Sequence, residues 1–162
     1  MAGDFMKKHA LIQELYRSMP LCWQAIKAET KKIKSLIIFS EANVMLRNFF
    51  KAIEANEKDR ILSFFATNAI YHNIPMEPVQ GQDAIWAVLG SMQDISEEIE
   101  WLVHNISVDD AGKVYTERTD RFNIRGKWRE IPVMGIFELE DGKITGWRDY
   151  FDLQQMMTAL SE

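Results

Sequence analysis

The second half of the chain contains four strand-like segments in succession, and no other feature of the sequence limits the possible folds as strongly. Apolar, β-branched and aromatic residues alternate with polar ones over residues 97–108, 113–124, 128–140 and 143–153, with no helical pattern between these segments. The connections "DDAG", "RGK" and "DG" are short, and Asp-Gly is a strong hairpin signal. Short connections join antiparallel neighbours, so the sequence predicts an antiparallel meander.

The part of the chain before the meander is predicted to be mainly helical. Residues 41–56 have apolar side chains at helical spacing behind Ser40, a candidate N-cap, and residues 60–68 predict a second, short helix. Residues 69–74 have the pattern of a strand, and residues 81–92 predict a third helix.

This order of helices, a strand, a helix and a meander predicts the α+β class. We expect a strongly curved mixed or antiparallel sheet with helices on one face, which together enclose a cone-shaped pocket suited to a small apolar ligand. The composition is typical of a globular domain, since 47% of the 162 residues are hydrophobic and 27% are charged.

Charge divides the chain into two regions. Residues 1–39 contain seven Lys or Arg and three Asp or Glu, whereas residues 40–162 contain twelve and twenty-one. We therefore predict a basic N-terminal extension over residues 1–39, followed by a single domain over residues 40–162. The extension could be a dimer arm, a basic surface helix, or a segment that folds against the domain.

Several classes of protein are disfavoured by composition. The net charge of −5 argues against nucleic acid as a partner, and no apolar run approaches the roughly 20 residues that a membrane span needs. Cys22 is the single cysteine, which excludes an internal disulfide, and no Cys/His cluster predicts a metal site. A cytoplasmic location is predicted from this cysteine usage.

Three predicted strands each carry two side chains at positions i and i+2, which share one face of a strand. The pairs are Tyr71 and Asn73, Arg118 and Asp120, and Trp147 and Asp149. A desolvated carboxylate needs a partner, so a purely structural ion pair is one interpretation of Arg118 and Asp120. Tyr71 and Asn73 could likewise be hydrogen-bonded polar groups at a strand end.

The three faces have a chemical meaning if they converge on one cavity. Arg118 could then lie between Asp120 and Asp149 and keep the two carboxyl groups in different protonation states, as an acid and a base. Tyr71 and Asn73 could hold a water molecule against Asp149. This chemistry requires no metal, no cofactor and no nucleophilic Ser or Cys.

Four segments resemble the limonene-1,2-epoxide hydrolase family, which has the cone-shaped α+β fold shared with ketosteroid isomerase and the polyketide cyclases. They are "YHNIP" (71–75), "GQDAI" (81–85), "VYTERTD" (114–120) and "ITGWRDYFDL" (144–153). The similarity runs from about Ser40 to Gln154, and residues 1–39 have no counterpart in it.

The resemblance implies an epoxide hydrolase that adds water to a small or medium apolar epoxide and forms a vicinal diol in one acid/base step. It implies that Asp149 is the general base and that Asp120 is the general acid. Arg118 would bridge the two, and Tyr71 and Asn73 would position the attacking water. The family also implies a homodimer and no cofactor.

The predicted substrate-binding residues are large side chains, most of which are also candidates for the core. They are Trp147, Met76, Trp86, Leu89, Trp101, Met134 and Ile136, with Ile99 beside them. Two other functions stay open, namely an isomerase or cyclase on the same fold and a non-catalytic small-molecule-binding protein. An isomerase needs one base and an oxyanion donor, so the bridged pair of carboxyl groups favours the hydrolase.

Overall fold

The computed structural model describes the backbone of residues 2–161 and the side chains of residue 21 and residues 23–161. Contacts divide the chain into two compact units, Met1–Ile37 and Ile38–Glu162. The side chains of residues 2–20 and of Cys22, which belong to the predicted extension, lie outside the described part of the structure. Within the described part of the chain, no helix has both the length and the apolar character that crossing a membrane requires.

The first helix, α1 (Ala2–Glu54), forms the first unit and continues into the second. The prediction that a helix begins behind Ser40 is therefore wrong. Residues 28–41 contain no glycine or proline and include several strong helix formers, so nothing in this stretch ends the helix. Ser40 is exposed within it.

The described part of the second unit contains three further helices and six strands. They are α2 (Lys58–Ser63), β1 (Phe65–Asn73), β2 (Val79–Gln80), α3 (Gln82–Ile95), β3 (Glu98–Val108), β4 (Val114–Ile124), β5 (Lys127–Glu140), β6 (Lys143–Tyr150) and α4 (Leu153–Ser161). The second helix is shorter than predicted, because Phe65 already belongs to β1, and neither β2 nor α4 was predicted.

The six strands form one sheet with the order β2-β1-β6-β5-β4-β3. The predicted meander is confirmed, since β3, β4, β5 and β6 pair antiparallel in sequence order. In contrast, β1 pairs parallel with β6, which makes the sheet mixed. The predicted α+β class with a mixed sheet is thus confirmed.

The core lies between one face of the sheet and the helices of the second unit. Along β4 every second residue from Val114 to Phe122 is buried, and along β5 the buried face runs from Ile131 to Phe137. The last turns of α1 contribute Phe49 and Phe50, which are almost fully buried. Phe49 packs edge-to-face on Trp147, with ring centroids 5.5 Å apart. Burial of each such side chain contributes about 2–3 kcal/mol to stability, and it fixes the inner face of the sheet.

Candidate functional site

A cavity of about 240 Å³ opens within the second unit between the sheet, α3 and the last turns of α1. Its walls are mainly apolar, with side chains such as Ile53, Val88 and Ile131. The strands contribute four polar side chains to the lining, namely Tyr71, Asn73, Asp120 and Asp149. A few polar groups in an otherwise apolar pocket are typical of a small-molecule site.

The parallel pairing of β1 with β6 explains how two of the predicted pairs meet. Tyr71 lies directly beside Trp147, and Asn73 lies directly beside Asp149. In a sheet, neighbouring residues of adjacent strands point to the same face, so these four side chains share the inner face. The third pair, Arg118 and Asp120, lies on β4, and Arg118 extends across β5 to hydrogen-bond with Asp149.

Arg118 connects the two carboxyl groups through hydrogen bonds. Its Nε and Nη2 donate to the two oxygens of Asp120 at 2.7 and 3.2 Å, and Nη2 also donates to Oδ2 of Asp149 at 2.5 Å. The Arg118 side chain is fully buried and its Cζ lies 4.6 Å from the ring centroid of Trp101. The planar guanidinium can therefore satisfy both carboxylates at once, which a lysine ammonium could not do with the same geometry.

Asp149 lies between Trp147 and Phe151 in the sequence, and the indole of Trp147 is its hydrogen-bond partner. Nε1 of Trp147 donates to Oδ1 of Asp149 at 2.7 Å. Tyr71 stacks on the same indole, with ring centroids 3.9 Å apart, and its hydroxyl donates to Oδ1 of Asn73 at 2.8 Å. Each oxygen of the Asp149 carboxylate thus accepts a hydrogen bond. Tyr71 and Asn73 line the cavity together with Asp149.

Burial dominates the electrostatics of the two carboxyl groups. It raises the pKa of Asp120 to about 6, although Arg118 acts in the opposite direction. Burial also raises the pKa of Asp149, against the attraction of Arg118 and the hydrogen bond from Trp147. Burial and the charge of Asp149 raise the pKa of Tyr71 well above its ordinary value, so its hydroxyl stays protonated.

A charge count explains why one proton stays in the site. Burial alone lowers the pKa of Arg118, but the two carboxylates raise it above its ordinary value, so this residue remains a cation. One cation and two carboxylates leave a net negative charge in a buried site, whereas a single shared proton makes the site neutral. The arrangement can therefore hold one carboxylic acid and one carboxylate together, as acid/base catalysis requires.

The residues predicted to contact the substrate divide into two groups. Met76, Leu89 and Trp101 are in the cavity lining, as is Ile99. Trp147 is fully buried and is not in the lining, because its indole lies behind Tyr71 and points its N–H at Asp149.

Three further predicted contacts, besides that of Trp147, are corrected by the structure. Met134 and Ile136 lie on the outer face of β5, because Ile131, Val133, Gly135 and Phe137 occupy its buried face. Trp86 lies near Lys58, whose ammonium is 5.2 Å from the ring centroid, and it is not in the lining.

Several lining residues were missed. Phe151 and Met156 follow β6, and Met156 belongs to α4, which the sequence pattern did not reveal. Phe122 could have been found, since it shares its face of β4 with Arg118 and Asp120. Among the described side chains, no three His, Cys, Asp or Glu residues are grouped in a way that could hold a metal ion.

Comparisons with known proteins agree on the family to which residues 40–162 are similar. The family model of the limonene-1,2-epoxide hydrolase catalytic domain matches residues 40–162. Epoxide hydrolase EphG of Mycobacterium tuberculosis is 33% identical over 113 residues, which cover 69% of this chain and 74% of that protein.

Solved structures show the same fold. The structure of an M. tuberculosis LEH-like epoxide hydrolase superposes with a TM-score of 0.65 and 32% identity, over 76% of this chain and 91% of the other. A putative polyketide cyclase from Xanthomonas campestris superposes with a TM-score of 0.64 at 19% identity, over 76% and 98% of the two chains. At that identity the second likeness concerns the fold alone.

Proposed function

The chain belongs to the limonene-1,2-epoxide hydrolase family, and on that premise we propose that it adds water to a small or medium apolar epoxide and releases a vicinal diol. The proposed reaction uses no cofactor and takes place in the cavity above Asp120 and Asp149. The observation that carries the proposal is the guanidinium of Arg118, which hydrogen-bonds to both carboxyl groups at the wall of an apolar cavity.

Each polar residue has a distinct role in the proposed step. Asp149 acts as the base and takes a proton from a water molecule that Tyr71 and Asn73 orient. The water oxygen forms a bond to one epoxide carbon as the bond from that carbon to the ring oxygen breaks. Asp120 delivers its proton to the ring oxygen, so the product is a neutral diol. Arg118 keeps one carboxyl group protonated and the other ionised before the step.

Both the base and the acid are needed, because an epoxide is strained but is a poor proton acceptor. A base alone would leave an alkoxide in an apolar cavity, where an unpaired charge is costly. Asp120 removes that cost, since burial raises its pKa to about 6 and so keeps it protonated, as a proton donor, up to about that pH.

The apolar lining supports an apolar substrate. Ile53, Val88, Leu89 and Met92 offer no hydrogen-bonding groups, so they favour hydrocarbon parts of a ligand over polar ones.

The homodimer, the cytoplasmic location and the domain limits given above remain predictions. The isomerase and cyclase alternative requires only one base, and the bridged pair of carboxyl groups therefore favours hydrolysis.

A panel of racemic epoxides tests the proposal, including limonene-1,2-oxide, cyclohexene oxide, styrene oxide and a long-chain alkyl epoxide. Diol formation is followed by gas chromatography with the full chain and with Asp149→Asn, which keeps the size of the side chain but removes its basicity. We expect diol from at least one epoxide, and a loss of about 10²-fold or more in the variant. If no epoxide is hydrolysed, or if a folded Asp149→Asn protein is as active as the parent, the proposal fails.

A further inference from the structure

We propose that Gly135 is a positioning residue for this reaction, because its missing side chain leaves the space through which the guanidinium of Arg118 reaches Asp149. The proposal rests on the proposed function, in which the two bridged carboxyl groups are the acid and the base. It concerns a residue that does not line the cavity and does not touch a substrate.

The register of the sheet places Gly135 on the path from Arg118 to Asp149. Arg118 of β4 lies beside Val133 of β5, whereas Asp149 of β6 lies beside Gly135 of β5. The two charged residues are therefore on strands that do not pair with each other, and Arg118 has to cross β5 to make its hydrogen bond. It crosses the inner face, which Gly135 shares with Val133.

A side chain at this position would collide with the guanidinium. A Cβ atom added to Gly135 would overlap Nη1 of Arg118 and would lie 2.6 Å from Oγ1 of Thr116 and 3.0 Å from Oδ1 of Asp149. Cβ atoms essentially never approach other heavy atoms more closely than 3.0 Å. Arg118 and Thr116 are both fully buried, so the surrounding core leaves them little room to move aside.

Backbone conformation does not explain the glycine. The glycines with positive φ are Gly81, Gly112, Gly126 and Gly142, and Gly135 is not among them. An L residue would therefore fit the backbone at position 135, and a glycine inside a strand weakens that strand. Glycine in a strand interior often marks a close approach by another group, and here that group is the guanidinium.

The chemical consequence follows from the ion pair. If Arg118 is displaced, Asp149 loses the cation that stabilises its ionised form and stays protonated up to a higher pH. A protonated Asp149 cannot take a proton from water. Gly135 would thus act on catalysis through Arg118, without contact with the reacting atoms.

Gly135→Ala tests this role, with Gly146→Ala as the matched control. Both glycines lie within strands of the same sheet and neither has a positive φ. The three atoms nearest to a Cβ at Gly146 all belong to the side chain of Glu138, with Oε2 at 3.1 Å, and this carboxylate is partly exposed and can turn away. We expect Gly135→Ala to lower kcat by about 10²-fold or more and to move the acidic limb of the kcat/KM profile to higher pH, and Gly146→Ala to do neither. An unshifted acidic limb in a folded Gly135→Ala protein would overturn the proposal.

A double-mutant cycle with Arg118→Lys provides a readout that does not depend on activity. Lysine has no Nη1 atom, so the added methyl group meets no guanidinium in that background. We expect Gly135→Ala to lower the melting temperature much more in the parent than in the Arg118→Lys background, because residues in direct contact are not additive. Equal losses in both backgrounds would refute the role, as would a Thr116→Ala background that relieves the loss more than Arg118→Lys does.

The two readouts separate the failure of this proposal from the failure of the proposed function. A wild-type protein that hydrolyses no epoxide contradicts the proposed function, and the melting-temperature cycle still decides whether Gly135 seats Arg118. If Gly135→Ala does not fold in the parent, folding of the double variant supports the proposal. Failure to fold in both backgrounds contradicts it.

Discussion

The indole Nε1 of Trp147 donates a 2.7 Å hydrogen bond to Oδ1 of Asp149, two residues further along β6. Strand geometry places both side chains on the same face, so an aromatic residue that is part of the core also holds the carboxylate in place. Arg118 donates a hydrogen bond to the other carboxylate oxygen, Oδ2, so the orientation of Asp149 is fixed from two sides. The proposed base is thus oriented before a substrate arrives.

Removal of this hydrogen bond should change the protonation of Asp149. Trp147→Phe keeps an aromatic ring but loses the N–H group, so the ionised form of Asp149 is less stable and its pKa rises. We expect the acidic limb of kcat/KM to move to higher pH, and kcat/KM at a given pH on that limb to fall by about tenfold. The pH–rate profile of the folded variant measures both effects.

Trp101→Phe is the matched control for this substitution. Trp101 also packs on Phe49, but its Nε1 has no hydrogen-bond acceptor among the described residues. Its replacement makes one wall of the cavity smaller and can change KM, but it leaves an aromatic ring beside Arg118, so the acidic limb should stay where it is in the parent. A shift of the limb of equal size in both variants would show that packing, and not the hydrogen bond, sets the pKa of Asp149.

The pKa of Asp120 predicts how stability depends on pH. Burial raises this pKa from its ordinary value of 3.8 to about 6. A carboxyl group with a raised pKa in the folded state stabilises the fold below pH 3.8, and this contribution is lost as the pH rises through about 6. For a shift of this size the contribution is about 3 kcal/mol, and the raised pKa of Asp149 has the same sign.

We therefore expect the free energy of unfolding of the parent, relative to Asp120→Asn, to be larger at pH 4 than at pH 8. Asparagine resembles the protonated acid in shape and does not titrate. Urea unfolding at a series of pH values, followed by circular dichroism, gives the difference. The same ionisation should remove activity, since kcat/KM should fall as the pH rises through about 6 and Asp120 loses the proton it donates. A stability difference that grows with pH would contradict the assignment.

The sequence predicted the three polar pairs because each depends only on the two-residue period of a strand, which local pattern reveals. Their convergence could not be read in the same way, since it depends on β1 pairing parallel with β6, between residues far apart in the chain. Met134 and Ile136 were assigned to the wrong face because "IPVMGIF" is apolar on both faces of β5. Gly135 in that same run carried the missing signal, since a glycine within a strand indicates the face that another group approaches.

Removal of the front segment should leave the second unit intact. Every described side chain before Ile38 is exposed, whereas the buried residues of α1 begin at Ala42 and continue through Leu46 and Phe49. We expect a chain that starts at Ile38 to keep its cooperative thermal transition and most of its epoxide turnover. A chain that starts at Asn48 is the control, because it also loses Ala42 and Leu46 and should unfold at a lower temperature. Aggregation of the chain that starts at Ile38 would show that the removed segment is integral to the fold.

The source of the second oxygen of the diol distinguishes two routes that two carboxyl groups allow. In one route a carboxylate attacks an epoxide carbon and forms an ester, which water then cleaves. In the other route water attacks directly while Asp120 protonates the ring oxygen. Tyr71 and Asn73 lie beside Asp149, where they can hold a water molecule, and a carboxylate that attacked carbon itself would not need them. Within the described side chains of the cavity lining, no histidine is present to activate water for cleavage of an ester.

We therefore expect a single step without a covalent intermediate. The test is one turnover in heavy-oxygen water with the enzyme in excess over the epoxide, followed by mass spectrometry of the diol and of the protein. Direct attack places the heavy oxygen in the diol on the first turnover, because the attacking atom comes from the solvent. An ester route gives the first diol an unlabelled carboxylate oxygen and leaves the label on the protein. The matched control is the free diol incubated with the enzyme in the same water, which excludes later exchange. Label on the peptide that contains Asp149 or Asp120 would overturn the single-step mechanism, even for a chain that does hydrolyse epoxides.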